Sequence, residues 1–497
     1  MTKRISSIVI SIIIPFIPLF AQYNVVKFES ELSEANGIIA YDSNNEFAAL
    51  FYQQNPVSGI SNQFIYKLNN DGDTLFRKQF YNPDTIVKLQ TIIQINANPV
   101  EYLLYAYAYK SGDDYRNTFS IFYKIDVDFE IIWQRVYQLR PLNLLASYEL
   151  HSQLLKKKDN GFLFSTNMGG SEGNLIFFDM DLNGDSLNYR KYEGDSCGRK
   201  LTDLIYNYDS TAYLVFTKDA HDDGTLRRCQ AITIDTNLIQ TKVDYFPEYF
   251  DDGITGKLIP GGNLVTGGLF HKISIEEFAS AMAAFKFDPE FNNLGSSLIG
   301  NPDYDIRKDN GLVSMDYYDP NSIYVAGTFD YDVGIWIEHS SWIVIGKVDN
   351  SMNLLTEKYI GGDAYYSFKT INATNDGGVF IGATRYDYMT QDYEHDVYYF
   401  RFDSIEMTVS VDENIDGQML QNAIVYPNPA RNHFFLRTFE TDSKLYLFDL
   451  EGNNVLSKTI KERITKVEIE NIVSGHYLWK LVKNSEKIES GKIIVTK

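Results

Sequence analysis

Short apolar stretches, many of them alternating with polar residues, follow one another along the chain with a polar turn between them. Runs of this length, bounded by Gly, Asn and Asp, are typical of antiparallel β-strands. The pair Asn183-Gly184 illustrates the turns, since Asn and Gly readily take the positive φ angles of a tight hairpin. The pattern therefore predicts an all-β protein built from hairpins.

A four-strand unit repeats along the chain. Its most regular phrase is an apolar strand that ends in Asp or Asn, and the seven ending residues are Asn69, Asp126, Asp181, Asp235, Asp288, Asp349 and Asp403. Successive copies lie 53 to 61 residues apart, and in the third unit we predict strands at 152–156, 162–165, 175–179 and 186–192. Four strands per repeat indicate β-propeller blades, whereas a two-sheet sandwich would not repeat itself. The sequence thus predicts a seven-bladed β-propeller over residues 22–411.

The seventh unit lacks one strand. It has three clear strands, and no turn follows Asp403 to begin a fourth. Residues 23–28 precede the first unit and belong to no unit of their own. We expect them to form the outer strand of the last blade, because this would close the ring and remove an exposed edge. Residues 405–411 are the alternative.

The chain begins with a basic pair and an apolar run. Lys3 and Arg4 precede a stretch that ends at Ala21 and contains two prolines. A short basic segment, an apolar stretch and a final small residue predict a secretory signal peptide over residues 1–21. An uncleaved membrane anchor is the alternative. No later apolar stretch reaches the length of a membrane span, so we expect no transmembrane segment in the mature chain.

Composition narrows the range of partners. Asp and Glu outnumber Lys and Arg, 66 against 45, and the resulting net charge of −21 argues against nucleic acid or an anionic membrane as a partner. The 36 Tyr and 32 Phe favour strands.

Two cysteines, Cys197 and Cys229, exclude a disulfide-rich scaffold. In an oxidising compartment they either form one disulfide or remain separate buried thiols.

A second module follows a linker at residues 412–424. Residues 425–497, called the tail from here on, hold twelve Lys and Arg against nine Asp and Glu, a net charge of +3. Without the tail and the two N-terminal basic residues, the remainder carries −26. This asymmetry indicates a separate module. Alternating runs with glycine turns between them predict a small antiparallel, immunoglobulin-like β-sandwich.

Four phrases appear in order along the tail. They are Tyr426-Pro427-Asn428-Pro429, a turn from Asp449 to Gly452, a strand with Gly475 and Tyr477, and a closing strand that begins with Gly491 and Lys492. In this order the phrases resemble the C-terminal sorting domain of the type IX (Por) secretion system, in its type A form. An ordinary immunoglobulin-like module in a secreted protein is the alternative.

The resemblance implies a route and a fate for the protein. It implies that the chain crosses the periplasm, that the outer-membrane machinery of the pathway reads the tail, and that the protein reaches the cell surface or the medium. Members of the family typically lose the tail to a sortase-like peptidase, and the rest is attached to surface lipopolysaccharide or released. The repeat region resembles propeller-like regions ahead of such tails only in general character, which implies no activity.

Loops on one face of the predicted ring are the candidates for binding. The loops between second and third strands should open on the same face as the loops between blades, and loops often carry binding residues. The candidate ligand-binding residues in these loops are His221, Asp222, His271, Tyr331, Asp332, His339, Tyr388, Asp392 and His395. Aromatic faces beside carboxylates suit a sugar or a peptide. We therefore predict a binding module for a polysaccharide or protein ligand.

Catalysis is the competing interpretation. A secreted hydrolase or lyase would act on polysaccharide or peptide through carboxylates of the same loops. The sequence has no nucleophile elbow, zinc-protease helix or phosphate loop, so we predict no catalytic residue. Asp179 to Asp185 copies half of a calcium loop, but the twelfth position is Arg190, which favours a hairpin turn. The histidines lack metal-ligand spacing, and we expect neither a metal nor a cofactor.

Overall fold

The computed structural model contains only β-strands as regular elements in the residues that it describes. These residues are 24–28, 33–54, 61–80, 85–110, 118–139, 152–158, 161–167, 174–192, 199–219, 229–246, 250–273, 278–300, 313–331, 337, 339–388, 395–404, 407, 423–426, 430–438, 442–461, 464–483 and 486–496. No helix in this part of the chain has the length and apolarity needed to cross a membrane.

The strands ahead of the tail come in groups of four. After β1 (Asn24–Phe28), the first three groups are β2 (Ser33–Tyr41), β3 (Phe47–Gln54), β4 (Ser61–Leu68) and β5 (Thr74–Phe80); β6 (Thr85–Ala97), β7 (Val100–Lys110), β8 (Phe119–Asp126) and β9 (Ile131–Tyr137); and β10 (Ser152–Lys157), β11 (Gly161–Asn167), β12 (Leu175–Met180) and β13 (Ser186–Tyr192). The third group reproduces the four strands predicted for the third unit, with ends that differ by at most two residues.

The later groups follow the same plan. They are β14 (Arg199–Tyr206), β15 (Ala212–Asp219), β16 (Cys229–Asp235) and β17 (Gln240–Tyr245); β18 (Phe250–Leu258), β19 (Leu264–Ile273), β20 (Phe278–Phe287) and β21 (Asn293–Ile299); β22 (Met315–Asp319), β23 (Ser322–Phe329), β24 (Trp342–Val348) and β25 (Leu354–Gly361); and β26 (Tyr365–Ala373), β27 (Val379–Tyr386) and β28 (His395–Phe402).

These groups form a ring of sheets. Each complete group is one antiparallel four-stranded sheet in sequence order, and the described residues contain seven four-stranded sheets ahead of the tail. The first strands of successive sheets contact one another in the order β2, β6, β10, β14, β18, β22 and β26, and β26 contacts β2. Sheets arranged in this cyclic way define a β-propeller. The predicted β-propeller fold is thus confirmed.

The N-terminal strand closes the ring. β1 pairs antiparallel with β28, from Asn24 opposite Arg401 to Phe28 opposite Val397, and so becomes the outer strand of the seventh sheet. The Phe28 ring lies 5.1 Å from the Tyr66 ring of the first sheet, measured between centroids, and this contact ties the seventh sheet to the first. The predicted closure by the N-terminal strand is confirmed for residues 24–28. Of the alternative segment, 405–411, the structure describes Met407 alone, a buried core residue.

The Asp residues that end the repeated phrase cap hairpin turns. The Asp349 Oδ1 atom accepts hydrogen bonds from the backbone N–H groups of Ser351 at 2.8 Å and Asn353 at 2.9 Å. The Asp181 carboxylate accepts the corresponding bonds from Asn183 and Asp185, both at 2.8 Å. A short carboxylate side chain is well placed to satisfy turn amides in this way. The stretch 179–185 is therefore the predicted hairpin turn between β12 and β13.

Bulky residues occupy the positive-φ position of several of these turns. Gly72 and Gly184 take it in the first and third sheets, but Phe129 and Leu238 take it in the second and fourth, with φ near 61° and 63°. A left-handed backbone costs such a residue about 1–2 kcal/mol. The side chains of Phe129 and Leu238 are at most 1% exposed, and burial of a large apolar side chain contributes about 1.5–3 kcal/mol, which offsets this cost.

Neighbouring sheets are also joined by tyrosine hydroxyl groups. The Tyr137 hydroxyl donates to the Gly184 carbonyl oxygen at 2.6 Å, and the Tyr192 hydroxyl donates to the Leu238 carbonyl oxygen at 2.6 Å. Each bond reaches from the outer strand of one sheet to the hairpin turn of the next. These contacts give part of the large tyrosine content a structural role.

A buried polar network joins the first and second sheets. The Lys67 ammonium group, 1% exposed, lies 2.5 Å from Asp42 and 2.7 Å from the Tyr102 hydroxyl oxygen, and Glu46 is 3.0 Å away. Tyr102 also donates a hydrogen bond to Asp42. Burial and the neighbouring carboxylates raise the pKa of Tyr102. The cation and its partners satisfy one another inside the core, as buried charges must.

The tail forms two small sheets around its own core. Its strands are β29 (Ala423–Tyr426), β30 (His433–Thr438), β31 (Ser443–Phe448), β32 (Asn454–Ile460), β33 (Ile464–Glu468), β34 (Gly475–Lys483) and β35 (Glu486–Val495). One sheet has the order β29-β30-β33 and the other β32-β31-β34-β35. Phe434, Leu447 and Trp479 belong to the core between them. The predicted β-sandwich is confirmed.

Candidate functional site

Four of the nine candidate ligand-binding residues have described side chains. These are Tyr331, His339, Tyr388 and His395. His221, Asp222, Asp332 and Asp392 lie outside the described residues. His271 was expected in a loop, but its backbone lies in β19, opposite Ser280 of β20, because that hairpin continues beyond the predicted strand ends. Its side chain is not among those described.

The fold brings the four described candidates to one edge of the sixth and seventh sheets. Tyr331 and Tyr388 follow the ends of β23 and β27, whereas His339 precedes β24 and His395 begins β28. Because neighbouring strands run antiparallel, the end of one and the start of the next meet at the same edge. The loop between the sixth and seventh sheets, which leads into β26, opens there as well. This is the shared loop face that the repeat predicted.

A group of aromatic residues forms the centre of this edge. Tyr365, Tyr386 and Tyr388 are 3%, 7% and 7% exposed and pack together with the half-buried Tyr331 and Ile337; we call these five residues the tyrosine cluster. Tyr331 and His339 both approach Tyr365, with ring centroids 6.4 Å and 5.9 Å apart. His395 stacks on Tyr386 at 4.9 Å. All four described candidates therefore converge on the cluster.

Ser341 joins the start of β24 to the segment that leads into β26. Its hydroxyl oxygen accepts a hydrogen bond from the Tyr366 backbone N–H at 2.6 Å and donates to the Tyr366 carbonyl oxygen at 2.6 Å. The Ser341 backbone N–H donates to the Ala364 carbonyl oxygen, and its own carbonyl oxygen accepts from Gly362. The residue just before β24 and the loop leading into β26 are thus joined by four hydrogen bonds.

Charged side chains border the cluster. The His339 Nδ1 atom lies 3.8 Å from the Asp330 carboxylate and 3.0 Å from the Ser340 carbonyl oxygen. Arg385 lies 3.2 Å from Asp363, and its guanidinium group stands over the ring of Tyr398 at 5.7 Å. An apolar aromatic centre with a charged border combines apolar faces with hydrogen-bonding groups at one edge of the ring.

A groove elsewhere in the ring is unrelated to the predicted residues. It has a volume of about 360 Å³, lies between the first and second sheets, and is lined by residues that include Lys78, Phe80, Phe119, Ile121 and Tyr123. None of the candidate ligand-binding residues lines it. The tyrosine cluster is the better candidate because residues from separate loops converge there.

Neither a metal-ligand cluster nor a second cysteine lies among the described residues. No group of three or more His, Cys, Asp and Glu in this part of the chain is arranged to hold a metal ion. Cys229 is buried, 1% exposed, within the core that joins the fourth and fifth sheets. Cys197 lies outside the described residues, so the disulfide with Cys229 stays a prediction.

The Asp-to-Gly phrase of the tail is a capped turn of the kind found in the ring. The Asp449 Oδ1 atom accepts backbone N–H groups from Glu451 at 3.0 Å and Asn453 at 2.8 Å. The Asn453 side chain donates to the second carboxylate oxygen at 3.0 Å, and these hydrogen bonds lower the pKa of Asp449. Gly452 has φ +87°, with open space around it, so its role is conformational.

The closing phrase of the tail is governed by steric fit. Gly491 lies opposite Trp479, and a Cβ atom on it would come within 2.8 Å of the Trp479 ring. Tyr477 is 5% exposed, and its hydroxyl donates to the Val473 carbonyl oxygen at 2.8 Å. Lys492 is exposed, and no contact explains Gly475. In the opening phrase, Tyr426 lies on β29 opposite Phe435, and Pro427, Asn428 and Pro429 are outside the described residues.

Comparison with protein families identifies the tail. Residues 424–496 match the model of the secretion system C-terminal sorting domain, a stretch that contains all four phrases. The tail is therefore a sorting domain of the type IX secretion system, and the protein is exported to the cell surface or the medium. No curated protein matches the chain.

Several solved structures are distantly similar to the chain. The β-propeller domain of the Trilobed protease from Pyrococcus furiosus has 9% identity and a TM-score of 0.43, covering 78% of this chain and 99% of that one. The Dos1 propeller has 11% identity and a TM-score of 0.39, covering 76% and 95%. PorZ, a surface component of the type IX secretion system of Porphyromonas gingivalis, has 9% identity and a TM-score of 0.23, covering 93% and 81%. Likenesses this distant carry no argument about activity.

Proposed function

We propose that the protein is an exported binding module whose ring takes an extracellular polymer, protein or polysaccharide, at the tyrosine cluster. The convergence of Tyr331, His339, Tyr388 and His395 on one buried aromatic group is the observation that carries the proposal. Aromatic side chains that keep a polar atom at the border suit a ligand with apolar faces and hydrogen-bonding groups.

The proposed route has two steps. Residues 1–21 act as a signal peptide for passage across the inner membrane, and the outer-membrane machinery of the type IX pathway then reads the tail. An acidic ring with a net charge near −26 stays soluble after release and is not drawn to anionic lipid surfaces. The ligand is therefore met outside the cell.

A binding screen tests the proposal. The folded full-length chain is cut by a protease site placed within residues 412–422, and the products are tested against polysaccharides and peptides for both binding and turnover. Saturable binding without turnover is expected, and Tyr331→Ala should weaken it at least tenfold. Tyr318→Ala is the matched control, since Tyr318 is 48% exposed and packs beside the Gly377 turn at the opposite edge. Equal binding by both variants would contradict the proposal, and product formation would favour a hydrolase or lyase.

A further inference from the structure

One contact in the structure joins the tail to the proposed site. The side chain of Phe435, on β30 of the tail, packs against the tyrosine cluster of the ring. We propose that the tail covers the cluster in the full-length chain, and that Phe435 stands where an aromatic side chain of a basic polypeptide ligand binds once the tail is released. The inference rests on the proposed function of the cluster and adds its ligand class and its regulation.

The position of Phe435 on its strand shows that the tail core does not need it. Phe434 and Leu436 are fully buried in that core. Successive side chains of a strand point to opposite faces, so Phe435 points away from it. Its side chain is half buried and packs with residues of the ring instead. A large outward aromatic residue that another surface covers is typical of a docking contact.

The side of the ring that meets Phe435 is suited to a polypeptide. Tyr365, Tyr386 and Tyr388 are almost wholly buried when the tail is in place, and Phe435 is one of the residues packed against them. An aromatic pair contributes about 0.5–1.5 kcal/mol beyond the area that it buries. Because the group seated there is a phenylalanine on a strand, the structure favours a polypeptide occupant over a sugar.

Charge favours the same docking and the same ligand class. The ring and its flanking segments carry a net charge of −26, and the tail carries +3. Asp330 and Asp363 border the cluster beside His339 and Arg385 of the ring, while Arg431 and Arg437 flank Phe435 in the sequence of the tail. The opposite net charges of the two parts steer them together. A ligand that replaces the tail should therefore be basic.

The linker accounts for the release. A contact centred on one aromatic side chain is weak by itself, but a short tether holds the tail at an effective concentration in the millimolar range. Cutting the linker removes this advantage, and at micromolar protein concentrations the tail should dissociate. Removal of the tail, which the type IX resemblance implies, would then open the cluster outside the cell.

A competition between the tail and a peptide copied from it tests the proposal. The probe is a fluorescent peptide of residues 430–438, and its control carries the Phe435→Ala change. It is added to the full-length chain, to the same chain cut within residues 412–422, and to the full-length Phe435→Ala variant. Leu450→Ala is the matched control, because Leu450 is a tail residue that is 73% exposed. We expect the cut chain and Phe435→Ala to bind the probe at least tenfold more tightly than the intact chain and Leu450→Ala.

A second readout separates failure of the covering from failure of the ligand class. Nitration of Tyr331, followed by mass spectrometry, should rise in the cut chain and in Phe435→Ala. Unchanged nitration, or measurable probe binding that is equally tight in the intact and cut chains, would overturn the covering. Raised nitration with no binding of the probe would overturn the polypeptide ligand and leave the covering in place. Binding of a polysaccharide by the cut chain in that case would support the proposed function and reject this ligand class.

Discussion

Two glycines of the tail, Gly491 and Gly475, look alike in the sequence and differ in the structure. Gly491 lies against the buried Trp479 ring, so a methyl group there must displace the ring or the strand. At Gly475 the same methyl group would lie 3.6 Å from the Tyr477 ring, an ordinary contact. Only the first of these glycines is required for steric reasons.

Gly491→Ala should therefore destabilise the tail, and Gly475→Ala should not. Overpacking of a well-filled site costs about 1–3 kcal/mol. The measurement is amide hydrogen exchange of β34 in the full-length chain, with Gly475→Ala as the control. Equal exchange rates in Gly491→Ala and the unchanged chain would show that Trp479 moves aside at no cost.

Asp349 gives a prediction about pH. The hydrogen bond from the Asn353 side chain, with those of the turn amides, lowers the pKa of Asp349 below its ordinary value. A carboxyl group with a lowered pKa in the folded state stabilises the protein above its unfolded pKa of about 3.9, and this contribution is lost as pH falls through the folded value. An Asn side chain does not titrate in this pH range, so the variant Asp349→Asn lacks this part of the pH dependence.

Asp349→Asn should melt at a lower temperature than the unchanged chain at pH 6, and the difference should shrink toward pH 3. Thermal unfolding followed by circular dichroism over this range measures it. Asp71→Asn is the control. Asp71 lies in the corresponding turn of the first sheet but does not cap it, because the Asn69 side chain accepts the turn amides there. A difference in melting temperature that stays constant with pH would contradict this account of the turn.

Sequence reasoning reached some residues and missed others for physical reasons. The strand-ending Asp residues were identified because they recur at a regular spacing, and their role as turn caps became visible only in the structure. Tyr365 and Tyr386 were missed because they lie within strands, and only the three-dimensional edge joins them to the loop residues. The position of Tyr365 directly after the loop between the sixth and seventh units was the sequence feature that could have identified it. Nothing in the sequence links Phe435 to the ring, since that contact depends on how the tail docks.

At the scale of elements, the closing strand depends on one side chain more than on the others. Phe28 packs against Phe51, Tyr66 and Tyr399, with ring centroids 5.1 to 5.6 Å apart. These rings come from the first and seventh sheets, so the contact holds the junction at which the ring closes.

Phe28→Ala should lower the free energy of unfolding by about 2 kcal/mol, below the 3–5 kcal/mol of a fully buried Phe, because Phe28 is only half buried. Val25→Ala on the same strand is the control, since Val25 is 37% exposed, and it should cost less than about 1 kcal/mol. Denaturant unfolding of both variants is the measurement. Equal effects would mean that β1 adds hydrogen bonds but no packing to the closure.

The elements themselves were largely predictable. Asn-Gly turns and the repeated Asp placed the hairpins, and the missing strand of the last unit pointed to β1. The bulky positive-φ residues Phe129 and Leu238 could not be predicted, because turn chemistry favours Gly there and only tertiary burial offsets the strain. The end of β19 could not be predicted either. This strand continues past the point where a loop was expected, so His271 lies in a strand and not in a loop.

At the scale of the whole molecule, the acidic ring and the basic tail have different roles. The ring presents the tyrosine cluster, and the tail supplies the sorting domain and, by our inference, a cover for that cluster. The opposite net charges of the two parts fit the proposed cover, because they favour docking of the tail on the ring.

Export by the tail is the central claim, and a fusion tests it most directly. A reporter placed behind a signal peptide and ahead of residues 405–497 is expressed in a host that carries the type IX pathway, beside the same reporter without these residues. The account predicts that the fusion appears on the cell surface or in the medium while the control stays in the periplasm. Retention of both proteins in the periplasm would contradict it.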